Sequence, residues 1–192
     1  MCFCSRLSRS VRQNGQHPLT TEKGVRALHL RLRAVSESFR PYEVNMPEPF
    51  VPDLSSRPFS MTVERQMAAA AELIYDAWTR RFDKWFAQPG ELLMTPEEGS
   101  LFFFYNRHDW GRHAHYGRFL ELIKNERVKM TWLTGAPGTY GDETVIEVEL
   151  GPREGGTLLR LTHSGFSTEA ACKAHEDNWP AALETLDEAL SK

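Results

Sequence analysis

The sequence of 192 residues is poor in cysteine and lacks any long apolar run. Its three cysteines (Cys2, Cys4 and Cys172) are too few for a disulfide framework, which favours a reducing compartment, and we expect a cytoplasmic protein. They are also too few for a four-ligand zinc site without help from histidine or carboxylates. No apolar stretch reaches the roughly 20 residues that a membrane-spanning helix requires, so an integral membrane protein is not expected.

An excess of positive charge is also missing. Lys and Arg number 23 against 26 Asp and Glu, a net charge of −3, which gives no argument for nucleic-acid binding. The charge is uneven, with nine basic against five acidic residues in 1–60 and fourteen against twenty-one in 61–192. The net charges of these two parts are therefore +4 and −7, so the C-terminal part is still less suited to a nucleic acid.

The usual catalytic motifs are absent as well. The sequence has no Gly-x-Ser-x-Gly elbow, no phosphate-binding Gly-rich loop with Gly-Lys-Ser/Thr and no His-Glu-x-x-His. Cys172 has no base at a suitable spacing for nucleophilic catalysis. These absences favour a non-enzymatic role and leave an enzyme as an open alternative.

The first 57 residues form an extension that is rich in proline and arginine. We predict that it is a disordered tail or that it lies upstream of the true start, which would then be Met46 or Met61 rather than Met1. A targeting segment is the alternative, because the first twenty residues are basic, rich in hydroxyl groups and free of acids. The folded domain is predicted to span residues 58–192.

Within that domain, hydrophobic periodicity predicts one strand, two short helices, six strands and a long helix. The strand Ser60–Met67 is followed by the helices Ala68–Trp78 and Phe82–Phe86. The later strands are Glu91–Thr95, Leu101–Arg107, His115–Ile123, Val128–Leu133, Glu143–Leu150 and Thr157–Ser164. The final helix is Thr168–Leu190, with a kink or a restart at Pro180. Short turns between strands favour an antiparallel meander, and the long helix would cover one face of it.

Several segments resemble one known superfamily. The helix segment ELIYDAWT at 72–79, the strand segments GRFLEL at 117–122 and VKMTW at 128–132, and GTLLRLTHSGF at 156–166 carry the resemblance, together with His175 and Trp179. They are similar to the START-like, or SRPBCC, helix-grip superfamily, in the branch of the activator of the heat-shock-protein-90 ATPase. Asn178 departs from the pattern, because the family usually carries glycine before this tryptophan. The resemblance implies an α+β helix grip: a curved antiparallel sheet of about six or seven strands wrapped on a long C-terminal helix, with two short helices after the first strand.

For function, the resemblance implies the binding of an apolar or amphipathic small molecule in a cavity between the sheet and the final helix. One alternative is a co-regulator of a heat-shock chaperone ATPase that acts through its surface, with a place in the stress response. A second alternative is a small enzyme of the same fold, a hydrolase or a cyclase. We expect no cofactor, no metal, no nucleic-acid or membrane partner, and a monomer or a homodimer.

Strand alternation and the aromatic content supply the candidate cavity residues. They are Trp78, Trp85, Phe86, Phe102, Phe104, Tyr116, Phe119, Met130, Trp132, Ile146, Val148, Leu159, Leu161, His163, Trp179 and Leu183. Each ring has the alternative of simply filling the core. His163 has two interpretations, a ligand contact or general base near Tyr116, and a structural hydrogen bond beside the final helix; the second is favoured. For His175, a satisfied histidine at the core boundary is the favoured interpretation.

One local group has the character of a metal site. His108, Asp109, His113 and His115 lie close together in sequence, and a period of two would place His113 and His115 on the same face of a strand. The segment NRHDWGRHAHYG is more typical of a charged hairpin loop with exposed side chains, so no metal site is predicted here.

Overall fold

The structure, a computed structural model, describes residues 51–109, 111–135 and 137–191. Its helices are α1 (Ala71–Thr79), a short 3₁₀ helix (Phe82–Lys84) and α2 (Glu169–Leu190). Its strands are β1 (Phe59–Met67), β2 (Leu92–Met94), β3 (Leu101–His108), β4 (Gly111–Ile123), β5 (Arg127–Thr134), β6 (Thr144–Arg153) and β7 (Gly156–Phe166).

Across the described residues, the seven strands form one sheet in the order β1-β7-β6-β5-β4-β3-β2, and all neighbours are antiparallel. Strands β2 to β7 are a meander, as the short turns predict. The first strand closes the sheet on the other side by pairing with the last, Val63 opposite Leu161. The predicted α+β helix grip is confirmed.

The sheet buries one face, and the burial pattern of β7 shows how the sequence directs this. Leu159, Leu161 and His163 are fully buried, while Arg160 between them is exposed. A period of two thus gives β7 an apolar face for the core and a polar face for solvent. On the solvent face, Arg127 lies within ion-pair distance of three carboxylates, those of Glu121, Glu147 and Glu149.

Helix α2 covers the inner face of the sheet. Thr168 caps it, since the Thr168 hydroxyl accepts a hydrogen bond from the Ala171 backbone N–H at 3.2 Å. Trp179, Leu183 and Leu186 are buried along its inner stripe. Pro180 lies on the exposed side and does not end the helix, so the restart considered from sequence is wrong: α2 runs unbroken to Leu190.

The first and last residues of the two short helices differ from those predicted. Helix α1 begins at Ala71 rather than Ala68, because the chain is still extended at Ala70 and the Thr157 hydroxyl holds the Ala69 carbonyl at 2.9 Å. The second helix is a single 3₁₀ turn. The Trp85 indole N–H after it bonds to the Ala77 carbonyl at 3.1 Å, which ties the turn to α1.

The predicted N-terminal extension falls mostly outside the described residues, since nothing is described before residue 51. Of the part that is described, Pro52 is buried and Arg57 donates to the Glu143 carbonyl at 2.7 Å and to the Asp53 carbonyl at 3.0 Å. This short segment therefore packs on the domain. Among the described residues, no helix combines the length and the apolar character needed to cross a bilayer.

Gly117 allows β4 and β5 to approach closely at the centre of the sheet. A Cβ atom at this position would collide with the Thr131 carbonyl oxygen and with the Phe102 ring. The Arg118 backbone N–H bonds to the Thr131 hydroxyl at 3.0 Å beside it, so the two strands cannot separate without losing this bond.

We expect Gly117→Ala to lower the free energy of unfolding by about 2–3 kcal/mol, because the new methyl group overpacks a backbone contact. Guanidinium denaturation followed by circular dichroism measures this. Gly151→Ala is the matched control, because its nearest neighbour would be the Leu158 carbonyl at 3.9 Å, an ordinary contact. Equal stability of the two variants would contradict the close approach.

Candidate functional site

A cavity of about 370 Å³ lies between the sheet and helix α2. Its floor is the inner face of β3, β4 and β5, and its other walls come from α2, from the chain after the 3₁₀ helix and from the loop after β5. The lining residues are Phe86, Asn106, His108, His113, His115, Trp132, Pro137, Gly138, Ala174, His175, Asn178, Trp179 and Ala182. The volume is at the small end of the range for ligand sites, about 300–1,000 Å³.

Alternation along β3 and β4 produces the polar part of the lining. The inner face of β3 carries Phe104 and then Asn106, and the facing strand carries His115 and His113 in register with them. The imidazole rings of His113 and His115 are 4.8 Å apart, on the same face, as a period of two requires. The interpretation of this segment as an exposed loop is wrong for His115, which is only 4% exposed, because His115 lies on the inner face of β4 opposite Phe104.

Three aromatic rings form the apolar walls. Phe86 and Trp179 lie nearly parallel with ring centroids 6.2 Å apart, and Trp132 lies 5.9 Å from Phe86 and 6.1 Å from Trp179. On the helix, Ala174 and Ala182 are small side chains one turn before and one turn after Asn178. The space exists because these positions of α2 carry little volume opposite large rings.

The ring of His115 is fixed by the aromatic groups around it. It stacks on Phe104 at 5.0 Å with an interplanar angle of 8°, and its edges meet Trp132 at 5.0 Å and Phe86 at 5.3 Å. Burial lowers the pKa of His115 to about 3, and the neighbouring His113 acts in the same direction, while the His113 backbone carbonyl opposes them. His115 is therefore a neutral imidazole at physiological pH.

Two other histidines of the cavity, His113 and His175, are also shifted toward the neutral form. Burial lowers the pKa of His113, and so does the nearby His108. Burial lowers the pKa of His175, although the hydrogen bond from its Nδ1 to the Ala171 carbonyl at 2.8 Å opposes the shift. No Asp, Glu, Lys or Arg belongs to the described lining. The described lining is thus polar at one end and contains no carboxylate, ammonium or guanidinium group.

His163 lies outside the cavity lining and joins α2 to the sheet. The Trp179 indole N–H donates to its Nδ1 at 3.2 Å, so Nε2 carries the proton and donates to the Thr144 hydroxyl at 2.8 Å. The Thr144 hydroxyl in turn donates to the Trp132 carbonyl at 2.6 Å. Burial lowers the pKa of His163 well below its ordinary value, which agrees with this neutral tautomer. Both ring nitrogens are used in a structural hydrogen-bond chain.

The structure divides the predicted cavity residues into three sets. Phe86, Trp132 and Trp179 line the cavity. A second set is buried in the core beneath and beside it: Trp78, Trp85, Phe102, Phe104, Phe119, Met130, Ile146, Val148, Leu159, Leu161, His163 and Leu183. Tyr116 is placed on the opposite face of the sheet and is 42% exposed. It cannot reach the cavity, because it is one residue out of phase with His115 and Gly117 on β4.

Sequence reasoning missed the helix residues Ala174, Asn178 and Ala182 and the polar residue Asn106. Continuing the alternation of Phe102 and Phe104 would have found Asn106. The three histidines near the β3–β4 turn were considered only as metal ligands. Among the described residues no group of three or more His, Cys, Asp or Glu has a geometry that could hold a metal ion.

A second surface feature lies around Tyr116. Leu93 is 71% exposed and Leu101 is 68% exposed, and they share this solvent face with Tyr116 and the half-buried Phe103 and Leu133. We call these five residues the outer patch. Such a concentration of exposed apolar side chains is typical of an interaction surface.

A curved antiparallel sheet gripping a long terminal helix, with a cavity between them, defines a helix-grip protein of the START-like, or SRPBCC, type. The family model described as "Activator of Hsp90 ATPase homolog 1-like protein" matches residues 68–191. The chain belongs to this family.

Solved structures share the fold. A crystal structure of a protein from Mesorhizobium loti is 25% identical, has a TM-score of 0.59 and covers 69% of this chain and 97% of that chain. One from Chromobacterium violaceum is 20% identical, with a TM-score of 0.61 and coverages of 69% and 97%. The solution structure of the Aha1 dimer from Colwellia psychrerythraea is 23% identical, with a TM-score of 0.54 and coverages of 69% and 96%. No curated protein matches the chain. The family and fold support ligand-binding or co-chaperone-like roles in general.

We expect the buried neutral histidines to make the domain sensitive to acid. His115 takes up a proton near pH 6.5 when unfolded but only at about 3 when folded, so the unfolded state binds more protons between these values. The free energy of unfolding therefore falls as the pH decreases below 6.5, by roughly 2 kcal/mol from this group at about pH 5.

Urea denaturation at a series of pH values measures this slope. His115→Gln should reduce the slope, whereas Phe104→Leu, which disturbs the same stack without removing a titrating group, should lower stability and keep the slope. An unchanged slope in His115→Gln would contradict the neutral buried state.

Proposed function

We propose that this protein binds an apolar or amphipathic small molecule in the cavity between the sheet and helix α2. The observation that carries the proposal is the cavity itself, about 370 Å³ with walls formed by Phe86, Trp132 and Trp179. Burial of ligand surface against these rings supplies roughly 25 cal/mol per Å² before ordering costs. The floor is held in place by the hydrogen-bond chain through His163, so the cavity is preformed.

Ligand binding can be tested with N-phenyl-1-naphthylamine, an uncharged probe whose fluorescence rises in apolar surroundings. Ala182→Trp should weaken its binding at least about tenfold, because the new ring occupies the cavity. Ala181→Trp is the matched control: it places the same side chain on the adjacent helix position, which is exposed and outside the lining.

Native mass spectrometry of gently purified protein is the complementary measurement, with organic extraction to identify a retained compound. Undiminished probe binding in Ala182→Trp would show that the probe binds elsewhere. The absence of any probe binding to the unaltered protein would overturn the proposal.

A second candidate function is regulation of a chaperone ATPase, and the outer patch is the observation that favours it. The matched family is described by its relation to the Hsp90 ATPase activator. Leu93 and Leu101 are the most exposed residues of the patch. In this second candidate function, the outer patch contacts the chaperone and the cavity has no direct role in the contact.

The patch predicts the effect of two substitutions on stimulation of Hsp90 ATPase. The double variant Leu93→Ser with Leu101→Ser should reduce the stimulation at least about fivefold, since it removes apolar surface that would be buried in the contact. Leu73→Ser is the control, because Leu73 is 44% exposed on α1, outside the outer patch. An absence of stimulation by the unaltered protein would reject this candidate.

For location, we propose the cytoplasm. Cys172 is a buried free thiol. A buried free thiol is compatible with a reducing compartment and supports the proposal.

A further inference from the structure

One end of the cavity contains hydrogen-bonding capacity that the fold does not use. Nδ1 of His115 and Oδ1 of Asn106 are both buried, and neither makes a well-formed hydrogen bond within the described residues; the one interaction of this kind at the His115 ring is with the His113 backbone carbonyl. A buried polar atom without a partner is costly, and most such atoms in folded proteins are paired. Unused polar atoms beside a cavity are therefore a place where a ligand can supply the missing bond.

The two side chains are neighbours across the β3–β4 ladder. Asn106 lies opposite His113, and His115 lies opposite Phe104, so Asn106 and His115 are diagonal neighbours on the inner face. Both belong to the cavity lining. Because Phe104 and Trp132 pack against the His115 ring, its position is fixed before a ligand arrives. The site is preorganised, which reduces the ordering cost of binding.

The lack of charge limits what the ligand can be. No carboxylate, ammonium or guanidinium group lines the described part of the cavity, and His115 is neutral. A charged ligand would lose its hydration here without gaining a counter-charge. A hydroxyl or ring N–H group fits better, because a neutral imidazole and a carboxamide can each donate and accept.

The walls limit the shape of the ligand. Phe86 and Trp179 stack on each other with ring centroids 6.2 Å apart, and together with Trp132 they present one aromatic wall to the cavity. Aromatic surfaces favour contact with another flat ring. Resting on the proposed ligand-binding function, we propose that the cavity takes a flat, uncharged aromatic molecule whose hydroxyl or ring N–H group is held by His115 and Asn106.

Three compounds that share the naphthalene ring system separate the contributions of apolar contact, hydrogen bonding and charge to binding. Naphthalene tests the flat apolar contact, 2-naphthol adds an uncharged hydroxyl, and 2-naphthoate adds a negative charge at neutral pH. We expect calorimetry on the full chain to show 2-naphthol binding roughly tenfold more tightly than either of the others, which corresponds to about 1.4 kcal/mol. The preference for 2-naphthol over naphthalene is the decisive quantity.

Variants test which residues create that preference. In His115→Phe and in Asn106→Leu, the ratio of the 2-naphthol affinity to the naphthalene affinity should fall toward one, while naphthalene still binds. Asn178→Leu is the control on the helix side of the same cavity, since the Asn178 amide already donates to the Ala174 carbonyl at 2.7 Å, and it should keep the preference. Circular dichroism verifies folding, and if His115→Phe does not fold, Asn106→Leu decides.

The outcomes distinguish this inference from the function on which it rests. Equal binding of naphthalene and 2-naphthol, or tightest binding of 2-naphthoate, overturns the inference and leaves the apolar cavity standing. If none of the three compounds binds but N-phenyl-1-naphthylamine does, the inference is overturned and the proposed ligand-binding function is not. Failure of all four compounds overturns both.

Discussion

The hydrogen bond from the Trp179 indole to His163 is the interaction on which the site depends. It joins helix α2 to β7 in a region where both partners are almost fully buried. It also fixes the tautomer of His163: the single ring proton lies on Nε2 and is donated to the Thr144 hydroxyl, which in turn donates its own proton to the Trp132 carbonyl. Two of the three cavity walls, Trp132 and Trp179, are thereby held by one chain of bonds. A protonated His163 could not accept from the indole, so burial and the hydrogen-bond pattern require the same neutral state.

The interior between the sheet and helix α2 has two regions, one filled by side chains and one that forms the cavity. Trp78, Phe82 and Trp85 pack with one another at ring-centroid distances of 5.0–5.3 Å, and this part of the core is closed. The open part lies where α2 presents Ala174 and Ala182 to the sheet. The same helix therefore supplies large side chains for packing and small ones for space. His113, His115 and His175 add polarity at the open end, and burial favours the neutral form of each.

Much of the fold could be predicted from the sequence, because alternation and helical periodicity report which face is buried. They assign Leu159, Leu161 and His163 to the inner face, and the structure agrees. The cavity was harder to predict, because periodicity gives the face of a side chain but not whether the helix opposite leaves room for it. Tyr116 and Phe119 were both expected in the cavity, although residues three apart cannot share a face of a regular strand. His115 was missed because the segment NRHDWGRHAHYG was interpreted as an exposed hairpin loop, although His115 lies within the predicted strand His115–Ile123 and in register with Phe104.

The pairing of β1 with β7 has a consequence for the order in which the chain folds. These strands are neighbours in the sheet, yet Phe59 and Phe166 lie at opposite ends of the domain sequence. The sheet cannot be completed, and α2 has no finished surface to cover, until almost the whole domain has left the ribosome. Contacts between such distant segments form late and slowly in folding. During synthesis, the aromatic side chains of the core therefore stay exposed until β7 and α2 have emerged, and that is when the nascent chain is most vulnerable to aggregation.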